Sequence, residues 1–185
     1  MTSKPLNDLS KFLSYVLRHE PHSIGLTLDS EGWADLDQLI TGAASQGRTL
    51  DRDLIRTVVD SSDKKRFALS SNGQRIRAVQ GHSTTSVNLQ HQEQEPPAML
   101  YHGTATRFLD SIREQGLIAG ARHHVHLAED TATATAVGQR YGKPVVLRIE
   151  TQAMRQQGFK FFRAENGVWL VDSVPARFLG LDNPL

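Results

Sequence analysis

The sequence predicts an α+β protein built from two small lobes. Its 185 residues are too few for a large multidomain enzyme. In the N-terminal half, segments with helical spacing lead into a hairpin pattern, whereas short strands alternate with helices in the C-terminal half. A polar segment that ends in two prolines, residues 81–97, separates the two patterns. We therefore place one lobe at residues 1–90, a linker at 91–98 and a second lobe at 99–185.

Composition narrows the class of protein. Hydrophobic residues make up 38% of the chain and charged residues 22%, a balance typical of globular rather than disordered proteins. The sequence has no apolar run long enough to cross a membrane and no secretory-signal pattern, so we expect a cytoplasmic protein. The absence of cysteine excludes disulfides, thiolate nucleophiles and thiolate-bound zinc. Because the net charge is only +1, a phosphate partner would need a local pocket.

The first lobe shows three helical patterns. Five apolar residues form one stripe of the first helix: Leu9, Phe12, Leu13, Val16 and Leu17. We expect this helix to be capped near Asn7 or Asp8 and to stop before Pro21. The second helix should be capped by Asp35, and the third should begin near Asp51.

A hairpin pattern follows the third helix. Residues 66–69 and 75–79 have strand composition and flank the turn sequence Ser-Ser-Asn-Gly. Three helices closed by a hairpin are the pattern of a winged-helix-like lobe, a relative of the helix-turn-helix. The first lobe is therefore a candidate nucleic-acid-binding domain.

The second lobe alternates short strands with helices. Helices are predicted at residues 106–115 and 131–141. Strands are predicted at residues 99–102, 125–128, 144–150, 160–163, 168–171 and 174–179. Neither G-x-G-x-x-G nor G-x-x-x-x-G-K-[ST] occurs, which excludes a Rossmann fingerprint and a P-loop. This pattern favours α+β over a doubly wound sheet.

Arg18 and His19 stand at the end of the first predicted helix. A cation in this position can complement the helix macrodipole, which is a purely structural role. An arginine also offers a planar fork to phosphate, and a histidine can titrate near neutral pH. Both interpretations stay open from these two residues alone.

Basic and polar residues surround the hairpin. The basic ones are Lys64, Lys65, Arg66, Arg75 and Arg77. They could protect a strand edge from pairing or contact a nucleic-acid backbone, and strand alternation puts Arg75 and Arg77 on one face. Gln80, His82 and Ser83 follow in a glycine-containing loop that by itself indicates a turn more than a site.

Two histidine-bearing segments mark the second lobe. His102, Gly103 and Thr104 should end a strand, where the glycine would let a ligand reach the main chain and the threonine could cap the next helix. Strand alternation puts His124 and His126 on one face. Zinc bound by these three histidines is conceivable, but no further ligand lies at a typical spacing, so we expect no metal. We therefore expect the three histidines to form hydrogen bonds with a ligand instead.

Seven motifs occur in order along nearly the whole chain. They are S-x-x-L-R-H-x-P at residues 14–21, G-L-x-L-D-x-x-G-W at 25–33, K-x-R-F at 64–67, R-A-x-Q-G-H-S at 77–83, Y-H-G-T at 101–104, R-x-H-V-H-L at 122–127 and N-G-V-W-L at 166–170. Together they resemble the NAD-dependent RNA 2'-phosphotransferase family. The resemblance implies a winged-helix RNA lobe joined to an ADP-ribosyltransferase-like lobe, which binds NAD on a split β-sheet without Rossmann glycines.

The resemblance also implies a reaction. In this family an internal RNA 2'-phosphate, left at a splice junction, attacks C1'' of the NAD ribose and expels nicotinamide. The 2''-hydroxyl of the RNA-2'-phospho-ADP-ribose intermediate then attacks the phosphate. The products are 2'-hydroxyl RNA, ADP-ribose 1'',2''-cyclic phosphate and nicotinamide. We accordingly expect an enzyme of tRNA-splicing type that is monomeric, consumes NAD as a co-substrate and acts on tRNA-like RNA.

Residue roles carry over at the matching motif positions. The resemblance assigns the catalytic group, with arginines gripping the transferred phosphate and a histidine moving a proton, to Arg18, His19, Arg66 and Arg122. The positions that match NAD-facing ones are His102, Gly103, Thr104, His124 and His126. Residues that would help close the site are Gln80, His82 and Ser83. Candidates for RNA backbone contacts are Lys65, Arg75 and Arg77.

One position departs from the wider ADP-ribosyltransferase pattern. Toxin-like transferases place a glutamate near the final strands, where this sequence has Val168 or, in a shifted register, Glu165. If Val168 holds that place, ADP-ribosylation of protein is disfavoured, because a neutral acceptor lacks its activating base whereas a phosphate needs none. Two alternatives stay open: ADP-ribosyl capping of terminal RNA or DNA phosphates, and a non-catalytic winged-helix nucleic-acid-binding protein with a nucleotide-sensing lobe.

Overall fold

The structure is a computed structural model that describes residues 3–62 and 65–182. The chain divides into two compact units, Met1–Gln90 and His91–Leu185. Both units combine helices with small antiparallel sheets, so the α+β class is confirmed. Among the described residues, no helix is both long and apolar enough to cross a bilayer.

The first unit contains three α-helices and one three-stranded sheet. The helices are α1 (Ser3–Arg18), α2 (Leu36–Ser45) and α3 (Arg52–Asp60). The strands are β1 (Ala34–Asp35), β2 (Phe67–Leu69) and β3 (Arg75–Ala78). The sheet has the order β1-β3-β2, and both pairings are antiparallel. The predicted helices and hairpin are confirmed, and β1 is an additional strand too short to show an alternating pattern.

Side-chain caps set the start of two helices in the first unit. Asp35 Oδ1 accepts from the backbone N–H of Asp37 at 2.8 Å, and Asp51 Oδ1 accepts from that of Leu54 at 2.7 Å. The predicted cap of α1 near Asn7 or Asp8 is wrong, because the helix already begins at Ser3. Pro5 is compatible with this earlier start, since proline is tolerated in the first turn of a helix.

The core of the first unit joins the three helices to the sheet. All five residues of the predicted α1 stripe are buried, and they pack with Leu39 of α2, Ile55 of α3 and Ile76 of β3. Burial of a side chain of this size contributes roughly 1.5–3 kcal/mol. The apolar stripe of α1 therefore anchors the helix that ends at Arg18.

The second unit contains three short helices and nine strands within its described residues. The helices are α4 (Leu109–Gln115), α5 (Thr131–Gly138) and α6 (Thr151–Gln156). The strands are β4 (Gln92–Glu93), β5 (Met99–Ala105), β6 (Leu117–Ile118), β7 (Val125–Leu127), β8 (Pro144–Glu150), β9 (Phe162–Arg163), β10 (Trp169–Val171), β11 (Ser173–Val174) and β12 (Leu179–Asp182). They form sheets of order β4-β9-β10-β7, β12-β8-β5 and β11-β6.

Two predictions for the second unit are wrong in detail. The predicted strand at residues 174–179 is two strands separated by a 3-10 turn, Ala176–Phe178. Pro175 precedes that turn and has no N–H to donate to a ladder, so the strand ends there. The strand that begins at Met99 continues through Ala105, which puts His102, Gly103 and Thr104 inside the strand rather than at its end. Thr104 is buried and does not cap the following turn.

Glycines let α5 lie directly on the β5–β8 sheet. A Cβ added to Gly103 would be 1.6 Å from the carbonyl oxygen of Ala134 in α5. A Cβ added to Gly138 would be 2.5 Å from the carbonyl oxygen of Thr104. One face of Gly103 is therefore occupied by the helix, and this close backbone approach requires glycine.

We predict that Gly103→Ala destabilises the protein strongly. The new methyl group meets helix backbone that cannot rotate away, and overpacking of this kind costs about 3 kcal/mol or more in free energy of unfolding. Gly180→Ala is the matched control, because its Cβ would meet only the flexible end of the Arg148 side chain at 3.4 Å. Denaturant unfolding of both variants checks this, and equal stabilities would show that α5 is free to shift.

Candidate active site

In the first unit, a loop packs against the end of α1. The backbone N–H of Ser83 donates to the carbonyl of Arg18 at 2.9 Å, which satisfies one of the carbonyls that a helix end leaves without an intrahelical partner. A hydrogen bond of 2.9 Å also joins Ser83 Oγ to His19 Nδ1. The Cβ position of Gly81 lies 3.8 Å from Cζ of the Arg18 guanidinium. The structure therefore brings Arg18, His19 and Ser83 together.

The rest of this loop is turned into the first unit. His82 is 3% exposed, and its Nε2 lies 2.9 Å from the Cβ position of Gly32, which has a φ of +77°. Only glycine fits that turn, for both reasons. Gln80 Oε1 is buried and has no hydrogen-bond partner among the described residues. His82 thus supports the loop by packing against the turn at Gly32.

The basic residues that precede the hairpin occupy different positions. Arg66 places Nη1 3.4 Å from Ser10 Oγ on α1, and its carbonyl accepts from the N–H of Val79. Ser10 comes eight residues before Arg18 in the helix, or about 12 Å along its axis. Lys65 is exposed, with a φ of +40°. Lys64, which opens the K-x-R-F motif, lies outside the described residues.

Arg75 and Arg77 share one face of β3 as predicted, and both stack on an indole ring. Their Cζ atoms lie 5.6 Å and 4.5 Å from the ring centroid of Trp33. Arg75 also forms an exposed ion pair with Asp29 at 3.3 Å. These contacts were not predicted, although Trp33 ends one of the motifs. They tie the two cations to the protein surface and so leave less of their charge for RNA.

In the second unit, β5 and β7 separate after one pair of residues. Tyr101 and Ala128 exchange two backbone hydrogen bonds of 2.8 Å. If the ladder continued, Gly103 would face His126, because antiparallel partners step by two in opposite directions. Instead, the carbonyl of His126 lies 3.0 Å from Nδ1 of the His102 ring. We call this place the sheet fork and define it by these five residues.

The sheet fork leaves main-chain groups of Gly103 unpaired. Backbone groups two residues apart on a strand point to the same edge, so the N–H and C=O of Gly103 point to the same edge as those of Tyr101. The described part of the chain provides no backbone partner for them on that edge. The prediction that a ligand could reach the main chain at Gly103 thus has a structural basis, although one face of the residue is covered by α5.

His102 is held neutral in a defined tautomer. Burial is the main cause that lowers the pKa of His102 below 6.5; the hydrogen bond to His126 opposes this effect, and the charge of Arg122 adds a smaller decrease. A carbonyl oxygen only accepts, so Nδ1 carries the proton and donates. Nε2 of His102 is therefore an acceptor.

Arg122 fixes the opposite tautomer in His126. Its Nη1 donates to His126 Nδ1 at 3.3 Å, so a neutral His126 carries its proton on Nε2. Arg122 is itself exposed. The two histidines at the fork thus present one acceptor and one donor, next to a guanidinium group.

His124 belongs to a different group of side chains. Its Nε2 lies 3.6 Å from Asp172 Oδ1, and its ring contacts those of His91 and Phe162. Burial lowers the pKa of His124, the negative charge of Asp172 opposes this, and His123 lowers the pKa slightly. The described residues contain no cluster of three metal-ligating side chains.

A carboxylate that was not predicted lies beside the N-G-V-W-L motif. Glu129 Oε1 accepts from Trp169 Nε1 at 2.8 Å and from Arg163 Nη2 at 3.1 Å. Trp169 is 3% exposed, and a buried indole N–H needs an acceptor, which is the signal that could have indicated such an acid. The segment after β7 therefore brings a carboxylate to the N-G-V-W-L motif.

We predict that stability falls as the pH is lowered from 7 to 5, partly because of His102. The folded pKa is depressed, so the unfolded chain binds the proton more readily below pH 6.5 and stability is lost as the pH falls through that value. His102→Gln should reduce this slope, with His124 accounting for part of the remainder. An NMR titration that gave His102 a pKa at or above 6.5 would contradict this prediction, because the folded pKa would then not be lowered by burial.

Comparisons with known proteins cover nearly the whole chain. Residues 4–173 match the family model described as RNA 2'-phosphotransferase, Tpt1 / KptA family. A probable RNA 2'-phosphotransferase of Pseudomonas fluorescens is 64% identical over 179 residues, which are 97% of this chain and 98% of that protein. Its counterpart in Pseudomonas aeruginosa is 63% identical with the same coverage, and that of Burkholderia lata is 62% identical over 95% of this chain and 91% of its own.

Proposed function

The chain belongs to the RNA 2'-phosphotransferase family, and from this membership we propose that it transfers an internal RNA 2'-phosphate to NAD. The products would be 2'-hydroxyl RNA, ADP-ribose 1'',2''-cyclic phosphate and nicotinamide. Identity above 60% over nearly the full length of both chains supports the RNA substrate. The use of NAD is supported by one observation, the sheet fork.

The chemistry of the fork matches a nicotinamide carboxamide. The carboxamide carries N–H donors and one carbonyl acceptor, and Gly103 offers a C=O and an N–H that have no backbone partner in the described part of the chain. His102 Nε2 adds an acceptor, and the Arg122 guanidinium suits phosphate oxygens. NAD would supply the ribose carbon that takes the phosphate and would release nicotinamide. Holding the carboxamide on rigid backbone would orient the ribose.

The first unit would supply residues for the phosphate itself, as a winged-helix-like RNA-binding unit. A phosphate dianion is already a nucleophile, so it needs alignment more than a general base. Arg18 and Arg66 would grip its oxygens, and charge that builds on phosphorus in the second step would be stabilised by the same guanidinium groups. His19 would move the proton in that step. Because Ser83 occupies Nδ1 of His19, the transfer would run through Nε2.

The residues near the final strands favour a phosphate as the attacking group. If Val168 holds the position at which toxin-like transferases carry a glutamate, that position has no ionisable group. An acceptor that required deprotonation would then lack its activating base, whereas a phosphate would not need one.

The first test uses the purified protein, NAD and an oligonucleotide with one internal 2'-phosphate. We expect mass spectrometry to show 2'-hydroxyl RNA and the cyclic phosphate product. A strand that retains ADP-ribose on a terminal phosphate would identify capping instead. NAD binding without nicotinamide release would indicate a sensor, and an unchanged 2'-phosphate at saturating NAD would refute the proposal.

We predict that His19→Ala accumulates the RNA-2'-phospho-ADP-ribose intermediate. The first step needs no proton transfer from the ring, so only the second should slow, by about 10²–10⁴-fold. Ser83→Ala keeps the ring and removes one of the hydrogen bonds that orient it, so it should accumulate less intermediate than His19→Ala. Product masses over time check both variants, and full turnover by His19→Ala would remove this histidine from the chemistry.

A further inference from the structure

Two exposed aromatic side chains meet at one end of the β5–β8 pair. Phe108 lies in the turn after β5, and Tyr141 lies just after α5. Their ring centroids are 6.5 Å apart in an edge-to-face arrangement, and the residues are 37% and 43% exposed. The N–H of Thr106 donates to the carbonyl of Lys143 at 3.0 Å, which joins the two segments. An exposed aromatic pair on a fixed frame suggests a binding surface.

Three cations surround this pair. Arg107 places Cζ 4.7 Å from the Phe108 ring centroid, and Arg140 and Lys143 flank Tyr141 in sequence; all three are exposed. Within the described residues, no carboxylate lies at ion-pair distance from any of them. Other exposed cations of this unit do form ion pairs, as Arg113 does with Asp110 and Arg163 does with Glu129. The described residues thus leave the three cations near the aromatic pair without an ion-pair partner.

These five residues, Arg107, Phe108, Arg140, Tyr141 and Lys143, form what we call the aromatic–cation patch. We propose that this patch binds unpaired RNA next to the 2'-phosphate, with a base stacked on the rings and phosphates bound by the cations. Aromatic platforms combined with cations are how proteins bind single strands without reading sequence. The choice of RNA as the ligand rests on the proposed function. The patch adds a surface in the second unit, and none of its five residues lies in any of the seven motifs.

The position of the patch suits a flanking strand. Phe108 is five positions after Gly103 of the sheet fork, so their Cα atoms lie within about 18 Å of each other. RNA carries one charge per nucleotide along its length, which matches cations spread over two segments. The adenosine half of NAD has similar chemistry, but it carries only one base and one diphosphate. The spread of the cations over two segments therefore favours RNA over NAD as the ligand of the patch.

The test measures the binding of a fluorescent single-stranded RNA that has no 2'-phosphate, in the absence of NAD. Tyr141→Leu should weaken binding about tenfold through loss of stacking. Arg140→Gln combined with Lys143→Gln should reduce the slope of log affinity against log salt by about 1.4, since each lost phosphate contact removes about 0.7. Arg113→Gln, which removes an ion-paired cation from the same unit, is the matched control and should change neither quantity. Thermal unfolding of each variant verifies that it is folded.

The outcomes separate this proposal from the proposed function. Wild-type RNA affinity and salt slope in all folded patch variants would overturn the proposal, whatever the enzyme does to a 2'-phosphate. A loss of NAD affinity with unchanged RNA affinity would also overturn it and assign the patch to the dinucleotide. Weaker RNA binding by the patch variants would support the patch even if the wild-type protein left a 2'-phosphate in place. In an active enzyme, these variants should raise KM for long RNA without lowering kcat.

Discussion

The separation of β5 from β7 is the constraint that arranges the candidate site of the second unit. A single pair, Tyr101 with Ala128, holds the two strands together, and the next position is taken by the His102 ring instead of a backbone ladder. Because a buried carbonyl must find a donor, that of His126 takes the ring N–H, which sets the tautomer of His102. The same replacement leaves the N–H and C=O of Gly103 without a backbone partner among the residues that the structure describes. The hydrogen bond between His102 Nδ1 and the carbonyl of His126 thus has two effects. It makes Nε2 of His102 an acceptor, and it takes the place of a backbone hydrogen bond to Gly103.

In the first unit, one loop residue likewise has two roles. The end of α1 leaves carbonyls without intrahelical partners, and the loop after β3 satisfies one of them through Ser83. The hydroxyl of the same residue bonds to His19. The loop in turn rests on His82, which fits against the glycine turn at Gly32. The same loop therefore both satisfies the end of α1 and orients the histidine. The buried apolar stripe of α1 holds the helix in place.

Features with a strong local cause were predictable from the sequence. The α1 stripe, the caps Asp35 and Asp51, and the strand Pro144–Glu150 each follow from a pattern of neighbouring residues. Features that depend on distant partners were not. The two-residue strand β1 exists only because β3 lies beside it, and Trp33 becomes a platform only when Arg75 and Arg77 fold over it.

The candidate site shows the same division. Sequence motifs identified the histidines and arginines, but they could not show that β5 continues past His102 or that α5 covers Gly103, because both depend on long-range packing. Motif order also could not reveal that Glu129 is held by Trp169 and Arg163, because these partners are 40 and 34 positions away in the chain. The antiparallel pairing of β7 with β10 brings the two segments together. This contact therefore follows from the sheet and not from any pattern of neighbouring residues.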